Sequence, residues 1–483
     1  MWQARQSKRL SRLLLFPKNN MLNITDVIAA ISTPPGKGGV AIIRVSGEGA
    51  FEVAKKVFRP CKDMPFEAIT PRLAAYGYIH DEGEVLDDVL LTKFPSPASY
   101  TGEDTVEIAC HGGILLTKTI LELIFSSGAR PAEAGEFTRR AFLNGKITLT
   151  EAEAIGSLLE AESRAQIRLS SEKSRTRLGK RLEKIREGLL EILSSVFARI
   201  DYPDEDLGDF GDEELLSRLY NIKDDITSLL STYRTGRAVT EGVKTVIVGK
   251  PNVGKSTIYN LLVGEDAAIV TDIPGTTRDV LTESVSLGSV MLRLADTAGI
   301  HSSVSDRVEA IGVEKSQKLM SECELLFAIF DLSCPFDKED EALISKIENA
   351  NCAKIAILNK ADKEAIFDEK RLSGHFLKVI SASADKGGDT LIGELSEAVR
   401  ALFLNDEIKI GEDAIISSAR QSAALTRANE LISLAISALE SGFMQDAVAG
   451  DLERALGAIS ELDGRAVSEE VVSTIFSKFC VGK

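Results

Sequence analysis

Apolar positions along the chain change their period more than once, and each period predicts a different kind of element. Between Ile24 and about Leu143, short β-branched runs alternate with glycine-rich turns. Val40–Val45 and Thr105–Ala109 predict strands and Ile114–Phe125 a helix, together an α+β domain. From Thr150 the texture becomes helical. Leu178, Leu182, Ile185, Leu189, Ile192, Leu193 and Val196 recur at three- and four-residue steps and therefore share one helix face. Asp201, Pro203, Asp204, Glu205, Asp206 and Asp209 break this pattern, and helices resume near Glu213. Residues 243–402 then alternate the apolar runs Val243–Val248, Leu325–Phe330 and Lys354–Leu358 with helical stretches, which predicts a doubly wound parallel sheet. After Glu412 helical spacing returns at Leu425, Ala428, Ile432, Ala435 and Leu439. An α/β cassette between helical flanks predicts a domain inserted into a helical bundle, an arrangement tolerated because domain termini often lie close together.

Composition narrows this picture. The 483 residues carry 57 Lys+Arg against 73 Asp+Glu, a net charge of −16, with 44% hydrophobic residues. Such a chain is neither disordered nor collagen-like, and its length predicts several domains. The acidic balance argues against non-specific coating of nucleic acid, which needs phosphate neutralised along the whole surface. A local exception is residues 164–186. There Arg164, Arg168, Lys173, Arg175, Arg177, Lys180, Arg181, Lys184 and Arg186 face only Glu172 and Glu183, so this stretch is either a phosphate contact or a solvated helix face. Apolar runs such as Leu325–Phe330 are far too short to span a membrane. The cysteines (Cys61, Cys110, Cys323, Cys334, Cys352 and Cys480) show no C-x-x-C spacing, which disfavours zinc and fits a reducing compartment. Residues 1–20 are basic and acid-free, fitting either a transit peptide or an upstream start before a protein that begins at Met21. Cytoplasmic localisation is the expectation, with organellar import if that segment is a targeting signal.

The strongest chemical signal is Gly249-Lys250-Pro251-Asn252-Val253-Gly254-Lys255-Ser256, directly after the strand Val243–Val248. It fits the G-x-x-x-x-G-K-[ST] phosphate loop in its strand–loop–helix context. Loop N–H groups wrap the phosphates, Lys255 reaches the β- and γ-phosphates, and Ser256 is placed for Mg²⁺, with Thr257 next on the helix. Asp296-Thr297-Ala298-Gly299 follows another apolar run, where the aspartate can hold Mg²⁺ through water and the Gly299 N–H can sense the γ-phosphate. Asn359-Lys360-Ala361-Asp362 caps the strand Lys354–Leu358. Asp362 can accept from the guanine N1–H and 2-amino group, which adenine does not offer. Ser381-Ala382-Ser383 is placed to close over the base. These motifs in this order predict a GTPase. Ile300 stands where a water-orienting glutamine is found in Ras-type enzymes, so another group must place the water; Glu309 is either a candidate for that role or a solvated helix residue. Asn252 offers a neutral oxygen for a monovalent cation beside the phosphates. The segment Thr271-Asp272-Ile273-Pro274-Gly275-Thr276-Thr277-Arg278-Asp279 supplies carbonyls for such an ion and Thr277 for Mg²⁺.

Over residues 21–483 the chain resembles the MnmE (TrmE) family of tRNA-modification GTPases. The residues carrying the resemblance are Thr33-Pro34-Pro35-Gly36-Lys37-Gly38-Gly39-Val40, Thr101-Gly102-Glu103-Asp104, His111-Gly112-Gly113, Arg140-Ala141-Phe142-Leu143-Asn144-Gly145-Lys146, Gly275-Thr276-Thr277-Arg278-Asp279 and the terminal Phe479-Cys480-Val481-Gly482-Lys483. The resemblance implies an N-terminal folate-binding and dimerisation domain (21–143), a discontinuous helical domain (144–242 and 403–483) and an inserted G domain (243–402). It implies a 5-formyl-tetrahydrofolate-type cofactor at Arg44, Glu107, Lys146 and Lys483, and a functional cysteine at Cys480. It also implies K⁺ ligands at Asn252, Thr271, Ile273 and Thr276, with Glu309 orienting water. The gap between Asp296 and Glu309 is one residue longer than in commoner members. The reaction implied is addition of an aminomethyl-type group at C5 of the wobble uridine of certain tRNAs, with an FAD-dependent partner (MnmG, or GidA) and a folate-derived carbon. Two other classes remain as contrasts. A ribosome-assembly switch usually carries a KH module, and no G-x-x-G follows Gly411; a membrane-remodelling GTPase needs a lipid-binding segment.

Overall fold

The computed structural model describes residues 26–61, 64–201, 211–265, 282–295, 319–442 and 445–482. Segment 1–20, the motif at 296–299, the 271–279 segment, Glu309 and Lys483 lie outside the described residues. The chain divides into two compact units. One comprises residues 1–156 with 457–483, the other residues 157–456.

The first unit is built on strands β1 (Ile28–Ile31), β2 (Gly38–Ser46), β3 (Phe58–Pro60), β4 (Ala75–Asp81), β5 (Glu84–Phe94), β6 (Thr105–Gly112) and β7 (Arg130–Pro131). Their order is β3-β4-β5-β6-β2-β1-β7, antiparallel throughout except for the β1–β7 pair. The side chains alternate as the pleat requires. Ala29, Ile43, Val45, Val106 and Ile108 point into one core, which the helices Ala50–Val57 and Ile114–Ser126 cover through Ala50, Val53, Ile120 and Ile124. The opposite face carries Ile28 and Ala30, which pack with Ala132 and with Phe137 of the helix Glu136–Leu143. The C-terminal residues join this unit. Phe476 and Phe479 form an apolar cluster with Phe142, Leu149 and Ala152. Gly156 leaves the space that the Phe479 ring fills, since a Cβ there would lie 3.2 Å from it.

The second unit holds the predicted nucleotide fold. Strands β8 (Val243–Gly249), β9 (Thr282–Leu287), β10 (Val290–Ala295), β11 (Leu325–Asp331), β12 (Ala353–Asn359) and β13 (Lys378–Ser381) run in the order β13-β12-β11-β8-β10-β9. All neighbours are parallel except β9 and β10, a hairpin at the edge. The continuous burial of Leu325–Phe330 explains why that run reads as wholly apolar: both faces of a parallel sheet are covered. The helix Glu172–Asp201 packs on Asp212–Ser231, which packs in turn on Ala419–Glu440. The stripe from Leu178 to Val196 is buried as its spacing predicts, as are Leu425, Ala428, Ile432 and Ala435. Leu439 is only half-buried, and Ile436, one turn earlier, fills the core instead. No helix among the described residues is long and apolar enough to cross a membrane.

Candidate functional site

Val243–Gly249 delivers the chain to the phosphate loop, and the helix Lys255–Glu265 leaves it. Asn252 adopts φ 62 and Gly254 φ 100, so the loop turns back on itself through left-handed backbone. Gly254 has a second reason to lack a side chain, since a Cβ would sit 2.1 Å from Asn359 Nδ2. Lys255 Nζ donates to the carbonyls of Gly249 (2.8 Å) and Lys250 (2.6 Å), which places its ammonium inside the loop. Burial pulls its pKa below the ordinary lysine value. Ser256 is exposed at the first turn of the helix and Thr257 half-buried behind it.

Asn359 ends β12 in a buried position and ties three segments together. Its Nδ2 donates to Val253 O (2.9 Å), and its Oδ1 accepts from Ala384 N (3.1 Å). The Asn359 amide thus joins the phosphate loop to the segment after Ser383. Lys360, at φ 67, sends its ammonium to Asn252 O (2.9 Å) and to Asp331 Oδ2 (2.5 Å). Burial alone would raise the Asp331 carboxyl. The Lys360 ammonium and the Ser333 hydroxyl and amide outweigh it and bring the pKa down to about 2. Asp362 lies 3.1 Å from Lys386 Nζ, and this bond, with one from Ser383, holds its carboxylate below the ordinary range. It is therefore ionised and accepting at neutral pH. Ala361 N donates to Ala382 O, which brings the 359–362 and 381–383 motifs side by side. Ser381 is exposed, Ala382 buried and Ser383 half-buried.

Sequence reasoning missed Asp331, Lys386 and the Lys250 bridge to Asp337 and Asp340 (2.8 Å each). The only local trace was an apolar strand ending in an acid at Asp331; Asp337 and Asp340 form a helix capping box.

In the first unit, cross-strand register brings Arg44 opposite Glu107. Arg44 Nε and Nη2 both donate to Glu107 Oε1, at 3.0 and 2.7 Å. The guanidinium lies over the Tyr100 and Phe137 rings, 5.6 Å from each centroid. Lys146 Nζ, in the same unit, donates to Pro97 O (3.0 Å). Arg140, 1% exposed, is held by Asp26, Glu103 and Glu136, so the run 140–146 begins with a structural cation. The C-terminal tail docks here. Val481 bridges Ala134, Gly135 N donates to Cys480 O (3.4 Å), and Ser32 Oγ donates to Gly482 O (3.0 Å). Gly482, at φ 98, admits this contact because a Cβ would meet Ile31 O at 2.3 Å. Cys480 itself remains exposed.

The basic stretch 164–186 has protein partners at several positions. Arg177 donates to Gly411 O (2.6 Å), Arg181 and Lys184 reach Asp225 at 3.4 and 3.5 Å, and Arg186 pairs with Glu183. These contacts assign part of its charge to bundle packing.

Residues 27–146 match the family described as the GTP-binding protein TrmE N-terminus, and residues 149–480 match the MnmE helical domain. Among curated relatives, the tRNA modification GTPase MnmE of Thermotoga petrophila is 40% identical over 95% of this chain and 100% of its own length. The protein of the same name from Clostridioides difficile is also 40% identical, and that from Thermoanaerobacter sp. 38%, each over 95% of this chain and all of its own. With a phosphate loop, a guanine-side motif and a docked cysteine tail on one chain, and with relatives matched end to end, the chain belongs to the MnmE (TrmE) family of tRNA-modification GTPases.

Proposed function

We propose that this GTPase is K⁺-dependent. In this reading it works as a homodimer with an FAD-dependent MnmG/GidA-type partner, adding a carboxymethylaminomethyl or aminomethyl group at C5 of the tRNA wobble uridine. The carbon comes from 5-formyl-tetrahydrofolate or a related tetrahydrofolate. The division of labour follows the domains: folate binding and dimerisation over 21–143, the helical domain over 144–242 and 403–483, and the G domain over 243–402. A cytoplasmic location suits a tRNA substrate.

One observation carries the proposal. The tail holding Cys480 is bound at Gly135, and two residues later Phe137 lies beneath the Arg44–Glu107 pair. The tail carrying the exposed thiol, and the polar pair, therefore both contact the segment 135–137. The surroundings of that segment suit a pterin-type ligand. The Glu107 carboxylate accepts from an aminopyrimidine edge, Tyr100 offers a ring face, and Lys146 and Lys483 are cations for the glutamate tail.

At the G domain, Lys255 exchanges its loop carbonyls for the β- and γ-phosphates, and Asp362 accepts from guanine. Ser256 and Thr277 would hold Mg²⁺, with Asp296 reaching it through water, and the ion would supply charge neutralisation at the phosphates. Asn252 is exposed on the loop with its main-chain carbonyl fixed by Lys360, a stable platform for a K⁺ shared with Thr271, Ile273 and Thr276. Glu309 takes the water-orienting role that Ile300 does not fill. The GTP-binding set also includes Val253, Asp272, Pro274, Gly275, Thr297, Ala298 and Gly299.

GTP hydrolysis by the purified chain in matched KCl and NaCl tests the cation site. The expected result is turnover at least tenfold faster in K⁺, and the difference should vanish in Asn252→Ala. Equal rates in both salts would overturn it and favour a switch that waits for an external activator.

A further inference from the structure

Cys323 and Cys352 stand far apart in sequence, yet Cys323 Sγ points at Cys352 Sγ from 3.4 Å. Both sit where chain enters the nucleotide sheet, Cys323 just before β11 and Cys352 just before β12. Ala353 N donates to Glu324 O (3.0 Å), and Leu325 stands in register with Ala353, so the backbone on either side of the two thiols is pinned. Cys323 is buried and Cys352 half-buried. The remaining cysteines show no such approach: Cys61, Cys334 and Cys480 are exposed and Cys110 is buried against Ala41 O.

We propose that Cys323 and Cys352 are a thiol–disulfide site, closed reversibly by low-molecular-weight disulfides. The Cys352 thiolate attacks one sulfur of oxidised glutathione, forming a mixed disulfide and releasing one glutathione thiolate. The Cys323 thiol gives its proton to that thiolate and attacks Cys352 Sγ, which expels the second glutathione. Two protein thiols lose two electrons, and one glutathione disulfide becomes two glutathione thiols.

The order of attack follows from the geometry. Cys323 donates its S–H to Cys352, and that bond is the largest cause bringing the Cys352 pKa down to about 7; burial opposes it and Lys354 assists. Cys323 shifts upward, by the same hydrogen bond and by burial, and so acts second as the resolving thiol. Forming the bond needs the sulfurs to close by about 1.4 Å to disulfide length, within the reach of side-chain rotation. The bridge would staple the starts of β11 and β12. Their nucleotide-binding ends, Asp331 and Asn359, lie at the other end of the strands. Closure therefore stabilises the sheet and leaves GTP binding intact. The unfolded chain loses the freedom of a long loop, which is where most of the gain arises.

The full chain, reduced and then equilibrated in glutathione redox buffers, is acid-quenched, alkylated and mapped by peptide mass. The expected result is a cross-link between the Cys323 and Cys352 peptides that dithiothreitol reverses. It should come with a melting midpoint several degrees above that of the reduced protein and unchanged GTP turnover. Cys352→Ser should abolish both the cross-link and the shift. Recovery of both cysteines as free thiols, under conditions where Cys61 or Cys334 carries glutathione, would overturn the proposal. The wild-type map decides this even if the serine variant folds poorly.

Discussion

At the residue scale, buried charge separates structural residues from chemical ones. Arg140 is nearly sealed, with Asp26, Glu103 and Glu136 around it and a further bond to Asp26 O. Arg140→Ala takes one of two guanidinium partners from the buried Glu136 carboxylate, which keeps Arg130, so the loss should be about 1–3 kcal/mol, less than for an uncompensated buried charge. Urea unfolding followed at the N-terminal unit should show that drop, with GTP turnover of the folded protein unchanged. Arg44, by contrast, has its guanidinium over two rings and one carboxylate oxygen as its partner, an arrangement that leaves donors for a ligand.

At the scale of elements, the nucleotide site is a set of loops bound to one another by side chains. Asn359 and Lys360 carry the stitching, and Gly254 must leave room for the Asn359 amide. Gly254→Ala therefore meets both a left-handed φ and a close contact. Fluorescent-GDP titration should show nucleotide affinity reduced by at least a hundredfold, while the midpoint of the N-terminal unit stays in place. The motifs 249–256, 359–362 and 381–383 were legible in the chain because each is local: a strand end, a few spaced residues, a turn. Asp331 was not, because its role exists only through Lys360, which reaches it across parallel strands.

At the scale of the whole molecule, the ionic groups set the acid limit. Asp26, Glu136 and Asp331 all hold pKa values below their ordinary range. In each, burial pushes upward and is outweighed, by Arg130 and Arg140 for Asp26 and Glu136 and by Lys360 for Asp331. A carboxyl whose folded pKa is depressed stabilises the fold above its unfolded pKa and loses that contribution as pH falls through the folded value. The contribution of these three carboxylates should thus be flat from neutral pH to about 4.5 and fall from there towards pH 2. Lys360→Met frees Asp331 to titrate nearer its ordinary value, so the acid midpoint of the nucleotide unit should move upward. Circular dichroism melts across this pH range check both statements.

Helix faces, the strand–loop–helix after β8 and the α/β alternation are consequences of near-neighbour spacing, and so they could be read from residue order. What required the folded chain were approaches between distant positions. The tail at 479–482 binds beside Gly135, Arg44 faces Glu107 in register, Arg177, Arg181 and Lys184 turn to bundle partners, and Cys323 meets Cys352. A spacing pattern assigns a side chain to a face. Which groups meet on that face depends on strand register and on how elements separated by hundreds of residues pack.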